Sequence, residues 1–320
     1  MTESELVKKA LSQPWEVKFR QSVQLLQMYE TFALRINPDG YYLAFSGGKD
    51  SICMKRVADI AGVKYKAYYH NTTVDPPEVC RFIRDIHPDV TWTHQPKHLC
   101  KMVEERGLPN RRHRWCCAVY KEGGGDGEGK LIGVRAAESH RRASLWHTFK
   151  MDGRGGFFVC PILYWTDKEV WSFIKTEELK YPSVYDEGRT RVGCIGCPLS
   201  QTQREELERY PRYAALWRRG AERFYKRTTE YVKSDGDFYA TVNFPTFEHY
   251  WAWWLAEGKR WQRGSKEACM IANMLAGWRG ELAPPDGQMP PPHGGWAKPY
   301  EGGRPPRRKS PPLGGTGGGR

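Results

Sequence analysis

No stretch of this chain approaches the roughly 20 consecutive apolar residues that a membrane-spanning helix needs, so a membrane role is not expected. The first residues, MTESELVKKALSQPWEV, carry acids and lack both the apolar core and the small-residue cleavage site of a secretory leader, which leads to an expectation of a cytoplasmic protein. An acidic balance is missing too. The formal charge is +13, which favours polyanionic partners, because lysine and arginine release counterions from phosphates. The 320 residues suffice for one large domain with an extension or for two modest ones.

In a reducing compartment, nine cysteines point to metal ligation or redox chemistry before disulfides. Cys116-Cys117 is a tandem pair, and Cys194-Ile195-Gly196-Cys197 is a C-x-x-C pair. Two such loops can make a four-thiolate cage for zinc or an iron–sulfur cluster. Cys53, Cys80, Cys100, Cys160 and Cys269 read better as small core residues. Arg111-Arg112-His113-Arg114 places cations beside the first pair, either as an electropositive channel or as a solvated basic turn.

Residues 4–35 have apolar positions at helical spacing, broken at Pro14, and read as two helices. After the turn Asn37-Pro38-Asp39-Gly40, the run Tyr41 to Phe45 is short, aromatic and continuous, as in a central strand. A helical pattern from Ile52 to Ala61 and a strand over Lys64 to His70 complete a β-α-β unit, so the expected class is α/β with a parallel sheet flanked by helices. Further strands are expected near Thr91-Trp92-Thr93 and over Lys130 to Arg135, with residues 122–129 between them read as a flexible glycine loop. Thr166-Asp167-Lys168-Glu169 has the form of a capping box opening a helix over Glu169 to Lys175. The expected organisation is N-terminal helices over 1–37, a catalytic domain over 38–200, an accessory helical region over 201–286, and a disordered, basic, Gly/Pro-rich tail over 287–320.

Ser46-Gly47-Gly48-Lys49-Asp50-Ser51 follows the first core strand directly. A strand feeding a glycine turn that opens a helix gathers backbone amides and the helix dipole around one point, where phosphate binds readily. The glycines allow close approach, Ser46 and Ser51 offer hydroxyls, and Lys49 offers a mobile charge. It is not the Walker A pattern, which has four residues between its first glycine and Gly-Lys-Ser/Thr. The bland alternative is an ordinary strand–helix turn. Gly133-Val134-Arg135-Ala136-Ala137-Glu138-Ser139-His140-Arg141-Arg142 sets arginines just beyond a strand, where open α/β sheets present ligands.

Taken in order, these segments resemble the phosphoadenylyl-sulfate and adenylyl-sulfate reductase-like family of the N-type ATP pyrophosphatase (PP-loop) superfamily, over roughly residues 41–200. The loop is similar to the superfamily's SGGKDS. Gly133, Arg135, Ser139 and Arg142 match a Gly-x-Arg-x-x-x-Ser-x-x-Arg element. Pro161 to Trp171 resembles Pro-(x)-Trp-Thr-x-x-x-Val-Trp, and Pro182 to Gly188 resembles Pro-x-Tyr-Asp-x-Gly. The resemblance implies an adenine nucleotide alpha hydrolase-like (HUP-type) fold that cleaves ATP between the α and β phosphates. It implies Asp50 on Mg²⁺, with Lys49, Asp50 and Arg135 catalytic and Ser46, Gly47, Gly48, Ser51, Ser139 and Arg142 around the nucleotide. Asn71 and Thr72 stand where the family has an Asp-Thr-Gly turn near ribose and adenine, with asparagine replacing the aspartate.

Adenylyl-sulfate reductases and the sulfur-transfer ATPases of DNA phosphorothioation carry cluster cysteines in comparable positions. The resemblance therefore implies a [4Fe–4S] cluster on Cys116, Cys117, Cys194 and Cys197, and the tandem pair speaks against zinc, the alternative. The reductases' C-terminal Cys-Gly motif is missing, since only Cys269 follows Cys197. Retention of Lys49 points to ATP itself, because adenylyl sulfate has no outer phosphates for the lysine to hold. The expected enzyme activates an acceptor for sulfur transfer in nucleic-acid modification or defence. The alternatives are a reductase and a nucleotide-binding accessory subunit of a nucleoprotein complex. Phe247 to Leu255 could stack bases or pack a core. Oligomeric state is not legible.

Overall fold

The computed structural model describes residues 2–111, 113–235, 244 and 246–257, all within the compact unit 1–265. The tail 287–320, Cys269 and most of the stretch from 236 to 286 lie outside the described residues.

Two helices open the chain, α1 (Glu3–Leu11) and α2 (Trp15–Ile36). Thr2 and Glu5 cap α1 reciprocally, and Pro14 sits at the N-cap of α2. The core alternates strands and helices: β1 (Tyr41–Ala44), α3 (Lys49–Ala61), β2 (Tyr65–Asn71), α4 (Pro77–Ile86), β3 (Thr91–His94), α5 (Leu99–Arg106), α6 (Trp115–Tyr120) and β4 (Gly129–Leu131). Then come α7 (His140–Leu145), β5 (Phe149–Met151), β6 (Phe157–Val159) and α8 (Asp167–Thr176), followed by α9 (Gln203–Arg209), α10 (Pro211–Asp235) and α11 (Phe247–Glu257).

The sheet has the order β3-β2-β1-β4-β6-β5, with every pairing parallel except β5 against β6. Strand order reverses between β1 and β4, so their C-terminal ends open a crevice of the kind in which α/β sheets bind ligands. The expected strand over 130–135 stops at Leu131. Residues 149–159, not foreseen as strands, form an antiparallel edge hairpin closed by Asp152, which accepts the amides of Gly127, Arg154 and Gly156.

Side chains alternate across the pleat. Leu43, Ala67, Tyr69, Leu131 and Val159 enter the main core with Leu26, Ile52, Val57, Trp165 and Phe173 from α2, α3 and α8 and the turn before it. A second core joins Leu99, Val103, Trp115 and Tyr120 to Trp217, Tyr250 and Trp254. The aromatic stripe of α11 is therefore packing: Trp254 is fully buried and donates to Pro109 O at 2.8 Å, while Tyr250 Oη accepts the Leu108 amide at 2.8 Å. The glycine-rich segment before β4 is not a free loop. A side-chain carbon on Gly125 would fall 2.6 Å from the Tyr42 ring, so glycine is what lets the segment lie against the sheet.

Candidate functional site

The turn after β1 is closed by its own serines. Ser51 Oγ donates to Gly48 O at 2.8 Å and accepts the Ser46 amide at 3.2 Å. Gly47 has φ +72°, and a Cβ there would lie 2.8 Å from Ile83 Cδ1, so both backbone and space demand glycine. Gly48 is the N-cap of α3 and has no side chain with which to cap it. The Lys49 amide donates to Tyr185 Oη at 3.0 Å, and burial pushes that phenol above its ordinary pKa.

Lys49 is not the mobile charge expected of it. It is 3% exposed, and its Nζ lies 3.0 Å from Thr190 O, 3.2 Å from Asp167 Oδ1 and 3.6 Å from Asp50 Oδ2. Arg135, equally buried, donates through Nε to Asp50 Oδ1 at 2.6 Å, through Nη2 to Asp167 Oδ1 at 2.9 Å and through Nη1 to Trp165 O at 3.3 Å. Two cations and two carboxylates from the loop, the β4 exit and the start of α8 thus form one neutral network. Lys49, Asp50 and Arg135 come together as expected. Asp167 was missed because the capping box around it already accounts for its position: Thr166 and Glu169 do cap α8, and Asp167 is left to face the loop.

Ser139 and Arg142 lie on the adjoining segment but are occupied locally. Ser139 Oγ accepts the Arg142 amide as the N-cap of α7, and the Arg142 guanidinium pairs with Glu138. Glu138 in turn accepts the Arg135 amide at 3.1 Å. Asn71 ends β2, and its Oδ1 accepts the Thr73 amide at 2.7 Å. Thr72 is buried, its amide held by Asp75 Oδ2 at 3.0 Å. Thr73 has φ +67°, uncommon for a β-branched residue, and marks a strained turn just after β2.

The C-x-x-C segment is fastened beside that turn. Cys194 Sγ donates to Thr72 Oγ1 at 3.5 Å, and the Ile195 amide donates to Val74 O at 2.8 Å. Cys116 hydrogen-bonds to Cys117 and lies within electrostatic reach of Cys194 and Cys197, which together with burial raises its pKa. The same hydrogen bond, helped by Lys121 and Arg114, lowers Cys117 to about 6, while burial pushes Cys194 up to about 12 and Cys197 upward. Lys121, one turn beyond the tandem pair and unnoticed in the sequence, lies within electrostatic reach of Cys194, which raises the lysine's pKa. Thiols suit a thiolate-bound centre by donor type. Among the described residues, however, no group of three or more His, Cys, Asp or Glu side chains is arranged to hold a metal ion. Of the basic run 111–114, Arg111 donates to Pro198 O at 3.1 Å, and Arg112 lies outside the described residues.

The profile of the family described as "Phosphoadenosine phosphosulfate reductase domain" matches residues 40–200. Among curated proteins, the uncharacterized protein MJ0066 of Methanocaldococcus jannaschii is 24% identical over 65% of this chain and 48% of its own length. An adenosine 5'-phosphosulfate reductase of Salinibacter ruber is 29% identical over 46% of this chain and 63% of its own. The chain spans about half the length of the first of these relatives. Among solved structures, a phosphoadenylyl-sulfate reductase of Candida auris in a phosphate complex aligns with TM-score 0.42 and 13% identity, covering 60% of this chain and 93% of that one. An FMN adenylyltransferase of Candida glabrata bound to ATP aligns with TM-score 0.40 and 12% identity, covering 59% and 68%. The architecture is a six-stranded, mostly parallel sheet flanked by helices, with a helical region after it among the described residues.

Proposed function

Because the chain belongs to the phosphoadenosine phosphosulfate reductase domain family, which matches half of its length, we propose that it binds ATP and cleaves it between the α and β phosphates. The products are pyrophosphate and either AMP or an adenylylated acceptor. The observation that carries this reading is the network of Lys49, Asp50, Arg135 and Asp167 at the uncapped N-terminus of α3. A polyphosphate entering there meets helix amides and two buried cations whose present partners are carboxylates. Exchange of phosphate oxygens for carboxylate oxygens would put Lys49 and Arg135 on the charge that develops on departing pyrophosphate. Mg²⁺, when bound, would neutralise phosphate charge as a Lewis acid, with Asp50 holding it and Asp167 within the same network.

Cys116, Cys117, Cys194 and Cys197 would hold a [4Fe–4S] cluster, with zinc as the alternative. The donor type supports this; the arrangement of the described side chains does not. When bound, such a centre would supply sulfur or electron handling. The acceptor is then a substrate for sulfur transfer in nucleic-acid modification or a defence system, a reading that rests on the basic charge and the thiols together. Reduction of adenylyl sulfate is a second reading, favoured by the likeness to the Salinibacter adenosine 5'-phosphosulfate reductase.

Full-length protein purified without oxygen and incubated with labelled ATP and Mg²⁺ is expected to give AMP and pyrophosphate, abolished by Lys49→Ala. ADP and phosphate would overturn the proposal, and no product would leave an accessory, nucleotide-binding role. Visible charge-transfer absorption lost in Cys194→Ala supports the cluster; stoichiometric zinc overturns it.

A further inference from the structure

Away from the phosphate loop, α10 lies directly on α5. A Cβ on Gly220 would fall 2.5 Å from Cys100 O and 3.3 Å from Val103 Cβ, so a glycine is what lets the two helices touch. That contact brings cations of both helices onto one surface. Arg219, Arg223 and Arg227 recur every fourth residue, on one face of α10 and over ~12 Å of its length, and all three are exposed. Arg223 Nη1 reaches Glu104 Oε1 of α5 at 2.6 Å, and Arg227 Nη2 donates to Glu105 O at 3.1 Å. The same two glutamates take the exposed lysines on the α5 side, Lys101 pairing with Glu104 and Lys97 with Glu105, each at 2.5 Å. Five cations therefore share two carboxylates, which order the array and leave three positive charges in excess. Glu222 is engaged elsewhere, by Arg218 at 3.3 Å, an arginine that also holds Glu248 of α11.

This face offers charge and no apolar anchor. Among the described residues, none of the exposed large hydrophobic side chains belongs to α5 or α10. The apolar side of α10, with Trp217, Ala221 and Phe224, is taken up in the second core. A helix that lies on a membrane needs a free apolar face beside its cations, and a stable protein partner needs buried anchors; the surface supplies neither. Rings for stacking bases are lacking too, since Phe224 and Tyr225 pack against Tyr250. What it presents is a row of guanidinium groups ~6 Å apart along the helix axis, flanked by two lysines, and its complement is a polymer of regularly repeated negative charge. The array also starts near the thiols: Leu99, two residues after Lys97, donates its amide at 2.9 Å to Thr73 Oγ1, in the turn to which the C-x-x-C segment is fastened.

We infer that the α5–α10 surface docks the sugar–phosphate backbone of a nucleic acid through Lys97, Lys101, Arg219, Arg223 and Arg227, without reading its sequence. That the docked polymer carries the acceptor rests on the proposed ATP chemistry; the docking itself does not.

The test is fluorescence anisotropy of the full-length protein with labelled DNA and RNA duplexes of mixed sequence, two helical turns long, across a salt series. Binding is expected to weaken as salt rises. Arg219→Gln/Arg223→Gln/Arg227→Gln should lower affinity by about tenfold or more at about 0.1 M salt and flatten the logarithmic salt dependence by about 2–3. Because the whole chain carries +13, an equal loss of charge elsewhere is the control. Lys8→Gln/Lys9→Gln/Arg20→Gln, on α1 and α2, is expected to change affinity by less than about twofold, since charges beyond a Debye length are screened. Glu104→Gln/Glu105→Gln acts in the opposite direction and should tighten binding several-fold, which keeps the test open should the arginine variant fail to fold. Binding of either duplex with these responses supports the inference, and the tighter one names the polymer. Equal weakening by both triple variants, indifference to both α5–α10 variants, or binding to phosphatidylserine vesicles in place of the duplexes would overturn it. Loss of a non-hydrolysable ATP analogue from Lys49→Ala with duplex binding intact is the expected separation of the two sites; if the analogue binds Lys49→Ala unchanged, the loop assignment fails and this inference stands.

Discussion

Lys49 and Arg135 are each shared between the same two aspartates, so the charge of the loop is balanced before any nucleotide arrives. Asp167→Asn removes one negative charge and leaves the network with a net positive one. Affinity for Mg²⁺-free ATP is expected to rise several-fold on electrostatic grounds, a change measurable by calorimetry. Asp50→Asn should lower turnover by about 100-fold with the fold intact, if metal neutralisation is worth the usual few kcal/mol. Gly47→Ala forces a Cβ into Ile83 at a left-handed φ, so urea denaturation is expected to show a loss of about 1–3 kcal/mol. The loop, Asp50 and Arg135 were legible because phosphate chemistry constrains residue type and spacing together. Asp167 was not, because a residue in a helix cap needs no second explanation. Lys121 was hidden for a related reason, since a lysine after a cysteine pair carries no pattern until the chain folds it back onto Cys194.

At the scale of elements, the β-α-β unit over 41–71 could be read from hydrophobic runs, whereas the edge hairpin could not. β5 and β6 have three residues each, too few for a period-two pattern to stand out, and their pairing is fixed by Asp152 gathering backbone amides. Of the second core, α10 and α11 were legible as helices whereas α5 and α6 were not foreseen, and their joining was hidden because the aromatic partners lie far apart in the chain. Trp254, fully buried in α11 against Trp217, is expected to cost about 3–5 kcal/mol on replacement by alanine. At the end of α4, burial lowers the pKa of His87 from 6.5 to about 4, and its Nε2 has no partner. The folded state keeps this imidazole neutral while the unfolded chain takes up a proton, so stability falls as pH drops from about 6.5 toward about 4. Discounted for solvent screening, the loss is about 1 kcal/mol. Thermal melts at pH 7 and pH 4.5 should show it in the parent protein and a smaller difference in His87→Leu.

Across the molecule, one segment ties the parts together. Residues 185–197 begin at Tyr185, which accepts the Lys49 amide, pass Thr190, whose carbonyl holds the Lys49 ammonium, and end at the C-x-x-C pair. There the Ile195 amide is fastened to the turn after β2 through Val74 O, and the Ile195 carbonyl to the second core through Trp217 Nε1, at 3.0 Å. A nucleotide that draws Lys49 toward phosphate must release or reinforce its bonds to this segment, so the loop and the thiols are joined by continuous backbone and not merely by proximity. Coupling of this kind needs an observable change at the far end. Hydrogen exchange with and without a non-hydrolysable ATP analogue and Mg²⁺ supplies one: the amides of 185–197 are expected to change protection together with those of 46–52. The rate at which Cys194 and Cys197 are alkylated should change in the opposite direction, falling where protection rises. Ligand-dependent protection confined to the loop, with the cysteine segment unmoved, would mean that the two halves of the site act independently and that the shared segment is only a tether.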